Sequence, residues 1–300
     1  MQAGKVALLT GATGFLGVHL VHRLLLEGVE VRALTSGTSK DRLGRSSSRV
    51  IWFDTDESSI QRATVGVDLF FNLAVLYDRP SYSTTEIDTV NVALPLNIIA
   101  ALSRNERTVT CILGDSFYRK FPAGATAQPR YTASKSQLYS RLQALHDFGR
   151  CRVALLLIEQ VYGPGENINK AYPHVVSQML KNASRIPLTQ GIQERDFIDV
   201  DDVIDAMLAV AGAQFVGCLE VGCGSGKSTP VREVFEHLKI LTGSSSELGF
   251  GDIPSDQDIL KSTANTAWLH NEGWNCKVSL EAGLRKFVTD IDTRLKLQAA

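Results

Sequence analysis

The sequence predicts an α/β fold with a doubly wound parallel sheet, and three observations support this prediction. Short apolar, β-rich runs alternate with amphipathic helical patterns through the first half of the chain, which is typical of parallel strands joined by crossover helices. The strand runs are almost wholly apolar, as expected when helices cover both faces of a sheet. A glycine-rich turn joins the first strand to the first helix. The C-terminal half lacks this regular alternation and has short helical patterns separated by polar loops, so we predict that it forms a smaller, mixed α/β domain.

The predicted strands of the sheet are short apolar segments. They are Lys5–Leu9, Glu30–Leu34, Val50–Phe53, Leu69–Leu73, Val109–Leu113 and Arg152–Ile158. The predicted helices carry apolar residues three and four positions apart. They are Phe15–Leu26, Glu86–Leu102, Thr132–Phe148, Val203–Ala211 and Val231–Leu241. We expect Asp201 and Asp202 to cap the fourth helix, and Thr229 with Pro230 to begin the fifth.

Composition and charge predict an ordinary soluble protein with a large core. Of 300 residues, 44% are hydrophobic and 21% are charged, and the net charge is -1, so nothing favours nucleic acid or an anionic membrane as partner. No apolar run approaches the ~20 residues that span a bilayer, and the N-terminal segment lacks the features of a signal peptide. The five cysteines and six histidines show no metal-ligand spacing. We therefore expect a cytoplasmic protein with reduced thiols and no bound metal.

The segment Thr10–Gly17 is a candidate phosphate-binding turn. Its glycines follow the pattern GxxGxxG between the first predicted strand and the first predicted helix. Such a turn lets the backbone approach a pyrophosphate closely and directs a helix N-terminus at its anionic oxygens. The sequence therefore predicts a Rossmann-type dinucleotide site. Its expected members are Gly11, Thr13, Gly14, Phe15, Leu16 and Gly17.

The segment after the second strand bears on which nicotinamide cofactor is preferred. An acidic residue at this place binds the 2′-hydroxyl of the adenosine ribose and rejects a 2′-phosphate. Here Thr35–Lys40 carries hydroxyls and a cation but no carboxylate, and Arg42 follows. This favours NADP(H) over NAD(H). The expected contacts to the ribose end are Ser36, Lys40 and Arg42.

Tyr131 and Lys135 stand four positions apart in a predicted helix, which places them on one face. A free phenol titrates near ~10, and a neighbouring ammonium lowers that pKa. The phenol can then donate a proton to a carbonyl while a hydride arrives, or accept one in reverse. Ser116 follows the fifth strand closely and would polarise the carbonyl. We therefore predict Ser116, Tyr131 and Lys135 as the catalytic residues.

Together these features resemble the extended short-chain dehydrogenase/reductase family, the NAD-dependent epimerases and dehydratases, in its nucleotide-sugar branch. The resemblance covers nearly the whole chain and includes the segments Val161–Gly165 (VYGPG), Glu194–Val203 (ERDFIDVDDV) and Leu219–Val231. It implies that Asp54 contacts adenine. It further implies that Leu73, Ala74 and Asn91 line the cofactor site, together with Tyr131 and Lys135. It also implies that Arg195 binds the diphosphate of a nucleotide sugar.

The resemblance predicts two domains, as does the end of the regular strand–helix alternation after Val161. Residues 1–163 and 197–222 would form the NAD(P)-binding Rossmann domain, and residues 164–196 and 223–300 the substrate-binding domain. We also expect a homodimer, because related enzymes often pair through two helices that correspond here to Glu86–Leu102 and Thr132–Phe148.

The sequence around Ser116 discriminates among the reactions of this family. Sugar-nucleotide dehydratases carry an Asp and a Glu directly after the equivalent hydroxyl residue, whereas this chain has Phe117 and Tyr118, which cannot do carboxylate chemistry. The short connection from Ser116 to Tyr131 and the segment Ile158–Gly165 resemble the CDP-abequose and CDP-paratose synthases, which are NADPH-dependent reductases. This resemblance predicts reduction of the 4-keto group of a CDP- or TDP-linked 4-keto-6-deoxyhexose, in deoxysugar biosynthesis.

The predicted substrate contacts are Tyr77, Ser116, Phe117, Gln160 and Arg195. Two arginines usual in the family are missing: Leu155–Leu157 stand where one is expected, and Lys261 is the only candidate to replace the other. Two other functions remain open. One is an NAD-dependent nucleotide-sugar 4-epimerase, and the other is a non-catalytic NAD(P)-binding sensor, although such sensors often lose the Tyr–Lys pair that this chain keeps.

Overall fold

The computed structural model describes residues 4–37, 40–145, 147–254 and 259–299. In chain order its strands are β1 (Val6–Thr10), β2 (Glu30–Leu34), β3 (Val50–Phe53), β4 (Leu69–Asn72), β5 (Val109–Ser116), β6 (Cys151–Ile158), β7 (Gln160–Tyr162), β8 (Arg185–Leu188), β9 (Glu194–Asp199), β10 (Cys218–Cys223), β11 (Ser228–Pro230) and β12 (Glu247–Phe250).

Helices alternate with the first strands of this series. The α-helices are α1 (Phe15–Leu26), α2 (Glu57–Thr64), α3 (Thr84–Asp88), α4 (Leu94–Leu102), α5 (Pro129–Gln143), α6 (Ala171–Leu180), α7 (Val200–Gly212), α8 (Val231–Thr242), α9 (Ala267–Asn271) and α10 (Leu280–Ala299). A π-helical turn, Thr89–Ala93, joins α3 to α4, and short 3-10 helices occupy Lys40–Arg49, Phe117–Lys120 and Ala123–Ala125.

The large sheet has seven strands in the order β10-β6-β5-β4-β1-β2-β3. Each pairing from β3 through β6 is parallel. The order 3-2-1-4-5-6 within it is that of a doubly wound dinucleotide-binding sheet, whose strand order reverses between β1 and β4. The predicted α/β Rossmann fold is therefore confirmed.

The chain divides into two compact units. The first comprises Met1–Ile158, Ile204–Gly222 and Ala267–Trp274, and the second comprises Glu159–Val203, Cys223–Thr266 and Asn275–Ala300. The core of the first packs the apolar faces of its strands against α2, α4 and α5. The core of the second joins α6, α8 and α10 around Tyr162 and Phe197. Within the second unit, β11, β9 and β7 form a three-stranded sheet, and β12 pairs with β8.

Three sequence predictions about element ends were wrong. Helix α5 ends at Gln143 rather than Phe148, because Phe148 reaches the core from the loop that follows the helix. Helix α7 begins at Val200, so Asp201 and Asp202 lie inside its first turn, and Asp199 accepts the Asp201 amide hydrogen instead.

The third error concerns the residues before α8, which itself begins at Val231 as predicted. Thr229 and Pro230 belong to β11, where they pair antiparallel with β9. Pro230 therefore precedes the helix rather than occupying its first turn.

One helical stretch of the described chain, Thr84–Leu102, is long and apolar enough to cross a membrane by length and composition alone. Core helices of soluble proteins pass the same test, and 39% of its apolar window is buried.

Glu166 in the second unit is a buried carboxyl group with few compensating contacts. It is 3% exposed, and its Oε2 has no hydrogen-bond partner among the described residues. Burial raises the pKa of Glu166 to about 7, against the opposing effects of Lys170, whose Nζ lies 3.6 Å from Oε1, and of Arg294. The folded chain therefore holds this proton more tightly than the unfolded chain does.

This shift predicts a pH-dependent stability. Because the folded pKa is raised, the stability of the wild type should fall as pH rises from about 4.5 to about 7, by up to about 3 kcal/mol. Glu166→Gln should remove this slope, so that the variant gains on the wild type between pH 5 and pH 8 in urea unfolding. Glu236→Gln, at an exposed position of α8, is the matched control. Parallel pH profiles for wild type and Glu166→Gln would contradict the assignment.

Candidate active site

The predicted phosphate-binding turn joins β1 to α1 as expected, and two of its glycines are required by close backbone contacts. Gly11 has φ +69°, and a Cβ there would lie 2.5 Å from the Ala74 nitrogen. A Cβ on Gly17 would lie 2.0 Å from the Gly11 carbonyl oxygen. These glycines therefore let the turn pack against the segment after β4 and let α1 pack against the turn.

The N-terminus of α1 is left without a side-chain cap. Its N-cap residue is Gly14, which makes no side-chain capping bond, and no acidic residue stands in its first turn. By contrast, Asp56 caps α2, and Ser83 with Glu86 forms a capping box on α3. An uncapped helix N-terminus behind a glycine turn is suited to a pyrophosphate.

The carboxyl ends of β1 and β4 meet where the strand order reverses. Thr10 Oγ1 donates to Asn72 Oδ1 at 2.7 Å, and the Ala74 amide donates to Thr10 Oγ1 at 3.2 Å. Leu73 and Ala74 are thereby held against the glycine turn. Ligands of open parallel sheets bind at such a point, so the residues present fit a dinucleotide cofactor.

The residues predicted for the adenosine ribose lie beyond the ends of β2 and β3. Ser36 and Asp54 are exposed. The Arg42 Nη1 donates to the Thr13 carbonyl oxygen at 2.9 Å, which ties the 3-10 helix Lys40–Arg49 to the glycine turn. The side chain of Lys40 lies outside the described part of the chain. Asp41, the next residue, stands in the first turn of the same 3-10 helix.

The three predicted catalytic residues belong to β5 and α5. Ser116 is the last residue of β5, whereas Tyr131 and Lys135 lie on α5, which Pro129 begins. All three are buried, at 9%, 6% and 3% exposure. The Ser116 side chain acts to lower the pKa of the Tyr131 phenol, and Lys135 Nζ lies 5.7 Å from the centre of the Tyr131 ring.

The pKa of Tyr131 differs from the expectation. It is raised well above the usual value, chiefly by burial and then by Tyr77 and Asp115, while Ser116 acts in the opposite direction. Burial therefore opposes the expected lowering by a neighbouring ammonium. Tyr131 is a protonated phenol at neutral pH.

Lys135 is held close to the backbone of β5. Its Nζ donates to the Gly114 carbonyl oxygen at 2.6 Å. Burial lowers the pKa of Lys135, and the nearby carboxylate of Asp115 raises it. The ammonium is thus fixed on the side of the strand that carries Ser116.

Asp115 is a member of this cluster that the sequence prediction missed. Its Oδ1 accepts the Ser116 amide hydrogen at 2.8 Å, and its Oδ2 accepts Arg119 Nε at 2.5 Å. Arg119 also pairs with Glu220 and lies over the Tyr139 ring. Burial raises the pKa of Asp115, against Lys135 and Arg119. The i, i+4 spacing of Asp115 and Arg119 is the sequence signal that could have found the pair.

Asn91, Tyr77 and Phe117 are further predicted residues of the first unit. Asn91 lies in the π-helical turn, a distortion that often marks functional positions. Its Nδ2 donates to the Ser134 hydroxyl at 2.9 Å, and Ser134 Oγ donates to the Tyr131 carbonyl oxygen. The Tyr77 ring lies 5.0 Å from the Tyr131 ring, centre to centre. Phe117, directly after Ser116, is buried with its ring beside that of Tyr118.

The remaining predicted substrate residues belong to the second unit. Gln160 begins β7 and is half-buried. Arg195 is 3% exposed and donates to the carbonyl oxygens of Glu194 and Ile259. Lys261 is paired with Glu194 at 2.7 Å. Their assignment to a substrate stays a prediction. Among the described residues, no group of three or more His, Cys, Asp or Glu side chains could hold a metal ion.

Known proteins similar to this chain share its full length. CDP-abequose synthase of Salmonella muenchen is 32% identical, over 96% of this chain and 99% of the relative. CDP-abequose synthase of Salmonella typhimurium is 29% identical, over 95% and 97%. The solved UDP-N-acetylglucosamine 4-epimerase of Methanobrevibacter ruminantium has the same fold, with a TM-score of 0.84 at 22% identity over 98% of this chain and 100% of that chain.

Residues 7–217 match the NAD dependent epimerase/dehydratase family. The match covers more than half of the chain and includes the glycine turn, Ser116 and the Tyr131–Lys135 pair. The chain therefore belongs to the NAD-dependent epimerase/dehydratase family, as an NAD(P)-dependent enzyme of the extended short-chain dehydrogenase/reductase type.

Proposed function

We propose that this enzyme reduces the 4-keto group of a nucleotide-linked 4-keto-6-deoxyhexose with NADPH. The observation that carries the proposal is the 32% identity with a CDP-abequose synthase over nearly the whole chain, together with the buried group of Ser116, Tyr131 and Lys135. Ketone reduction requires a proton donor, and the Tyr131 phenol can supply that proton. The identity with CDP-abequose synthases over nearly the whole chain supports a CDP-linked sugar as the first substrate to test.

NADPH, when bound, would supply the hydride that the carbonyl carbon accepts. The Ser116 hydroxyl would polarise the carbonyl oxygen, and Tyr131 would give that oxygen its phenolic proton, so that the C=O bond becomes CH–OH. Lys135 would hold the ribose of the cofactor, and its positive charge would stabilise the phenolate of Tyr131. The substrate would thus gain one hydride and one proton.

The carboxylates near Ser116 do not favour dehydration. Phe117 and Tyr118 occupy the two positions at which dehydratases carry an acid and a base. Asp115 has a 2% exposed side chain whose two oxygens accept from Ser116 and Arg119. An NAD-dependent 4-epimerase is the second candidate, because solved relatives of this fold include such enzymes.

The reaction is tested with NADPH and CDP-4-keto-6-deoxyglucose, following the loss of the reduced-nicotinamide absorbance. Tyr131→Phe should lower kcat by roughly 10²–10⁴ because the proton donor is gone. Tyr172→Phe is the control, since its ring packs on Phe235 in the second unit. The proposal would be contradicted if the wild type consumed no NADPH with any CDP- or TDP-linked 4-keto-6-deoxyhexose. Retained NAD and sugar turnover without added cofactor would indicate the epimerase.

We infer that Arg42 contributes to a preference for NADPH. Its guanidinium already contacts the carbonyl of Thr13 in the glycine turn, and it follows the segment that leaves β2. A cation there attracts the 2′-phosphate that distinguishes NADPH from NADH. Arg42→Gln should weaken NADPH binding about tenfold, or about 1.4 kcal/mol, and leave NADH binding nearly unchanged.

Cofactor binding is measured by quenching of protein fluorescence. Arg45→Gln, an exposed arginine of the same 3-10 helix, is the control for a general loss of positive charge. Equal losses of NADPH and NADH affinity in Arg42→Gln would contradict a role in choosing the cofactor, and the preference for NADPH itself fails if the wild type binds NADH more tightly.

We further propose a cytoplasmic homodimer that pairs through α4 and α5. An apolar groove along these helices is lined by Leu96, Ala100, Leu145 and Phe148 among others. The five cysteines are free thiols, in keeping with a reducing compartment.

Ala100→Glu should yield a monomer in analytical ultracentrifugation, because it places a charge in the groove. Ala282→Glu on α10 should leave the dimer intact, and a monomeric wild type would refute the pairing.

A further inference from the structure

The segment from residue 73 to residue 83, between β4 and α3, forms neither helix nor strand. It carries Tyr77, whose side chain is 37% exposed and whose ring lies against that of the catalytic Tyr131. Because such a segment lacks the backbone hydrogen bonds of a helix or a sheet, it keeps its position mainly through side-chain hydrogen bonds and packing. The position of Tyr77 therefore depends on what holds this segment.

Arg130, the residue directly before Tyr131, makes four of the hydrogen bonds that hold this segment. Its backbone amide donates to Asp78 Oδ2 at 2.8 Å, and its Nε donates to Asp78 Oδ1 at 2.5 Å. Its other two guanidinium nitrogens donate to the carbonyl oxygens of Tyr82 at 2.5 Å and Arg79 at 2.9 Å. One planar side chain thus binds three residues of the segment, which a lysine could not reproduce.

Two amides complete the attachment on either side of Tyr77. The Asp78 amide donates to Gln128 Oε1 at 2.7 Å, and the Leu76 amide donates to Asn91 Oδ1 at 2.8 Å. Asn91 returns a bond to the Leu76 carbonyl oxygen at 2.9 Å. The residues before and after Tyr77 are therefore fixed to the π-helical turn and to the start of α5.

We propose that the Asp78–Arg130 pair is a clasp that positions Tyr77 over Tyr131 and so controls the access of water and sugar substrate to the catalytic phenol. Asp78 is 12% exposed and Arg130 33% exposed as side chains, so the pair is partly shielded from solvent. Arg130 is a positioning residue that acts through Tyr77.

The clasp is first tested without any substrate, so that its failure is separate from failure of the proposed reaction. Purified full-length variants are treated with tetranitromethane, and nitration of each tyrosine is read by peptide mass spectrometry. Tyr131 should be nitrated at least fivefold faster in the Arg130→Gln and Tyr77→Ala variants than in the wild type. Arg23→Gln, which breaks an ion pair with Glu27 and Asp205, should not. An unchanged rate at Tyr131 in Arg130→Gln overturns the proposal.

Hydrogen exchange tests the same attachment in the backbone. The amides of Leu76 and Asp78 should exchange at least tenfold faster in Arg130→Gln and Asp78→Asn, whereas the overall unfolding midpoint should stay close to that of the wild type. Arg130→Lys keeps the charge but loses the fork, so it should resemble Arg130→Gln. Full protection of these amides in Arg130→Lys would overturn the assigned role of the guanidinium.

The kinetic test rests on the proposed reduction. With CDP-4-keto-6-deoxyglucose, Arg130→Gln should lower kcat/KM for the sugar about tenfold and leave KM for NADPH unchanged. If Arg130 only stabilised the fold, its substitution would change both kcat/KM for the sugar and KM for NADPH, together with the free energy of unfolding. Equal effects on sugar and cofactor would overturn the role in substrate access. If the wild type does not turn over this sugar, the proposed function fails, while the nitration and exchange results still decide the clasp.

Discussion

Burial of a phenol beside buried charges is the constraint on which the active site depends. Tyr131, Lys135 and Asp115 lie almost wholly out of water, and a charge in such a place is tolerated only when it is paired or hydrogen-bonded. Asp115 meets this need with Arg119 and the Ser116 amide, and Lys135 with the Gly114 carbonyl. The phenol, which has the least compensation, stays protonated. The same pattern that holds the cluster together thus prepares a proton donor.

The parallel sheet fixes the positions of these groups. Thr10, Asn72 and Ser116 end adjacent or neighbouring strands and so stand at one edge, where strand order reverses. The parts that lie beside the phenol are irregular by comparison. They are the π-helical turn and the segment after β4, and side-chain bonds from Asn91, Gln128 and Arg130 replace the missing backbone ladder. A rigid sheet therefore carries a cover whose stability is set by a few side chains.

The sequence predicted the sheet elements well because their apolar runs and their turns are local signals. The bounds of α1, β2 and β3 were found as expected, and the glycine turn lies where the pattern placed it. Element ends were less predictable. Phe148 looked helical because it is apolar at helical spacing, yet it packs into the core from a loop. The start of α7 depended on Asp199, a capping residue whose bond only the folded chain reveals.

The sequence by itself determined the fold class and the glycine turn between β1 and α1, and it nominated Ser116, Tyr131 and Lys135 as catalytic residues, because each inference depends on local residue patterns. Only the tertiary structure decided the direction in which the pKa of Tyr131 is shifted, since the loss of solvation depends on which elements surround the phenol. It also decided the role of Arg130. Its partner Asp78 lies outside α5, and no spacing along the chain reports a hydrogen bond across 52 residues. Solvation and long-range pairing are properties of the folded chain.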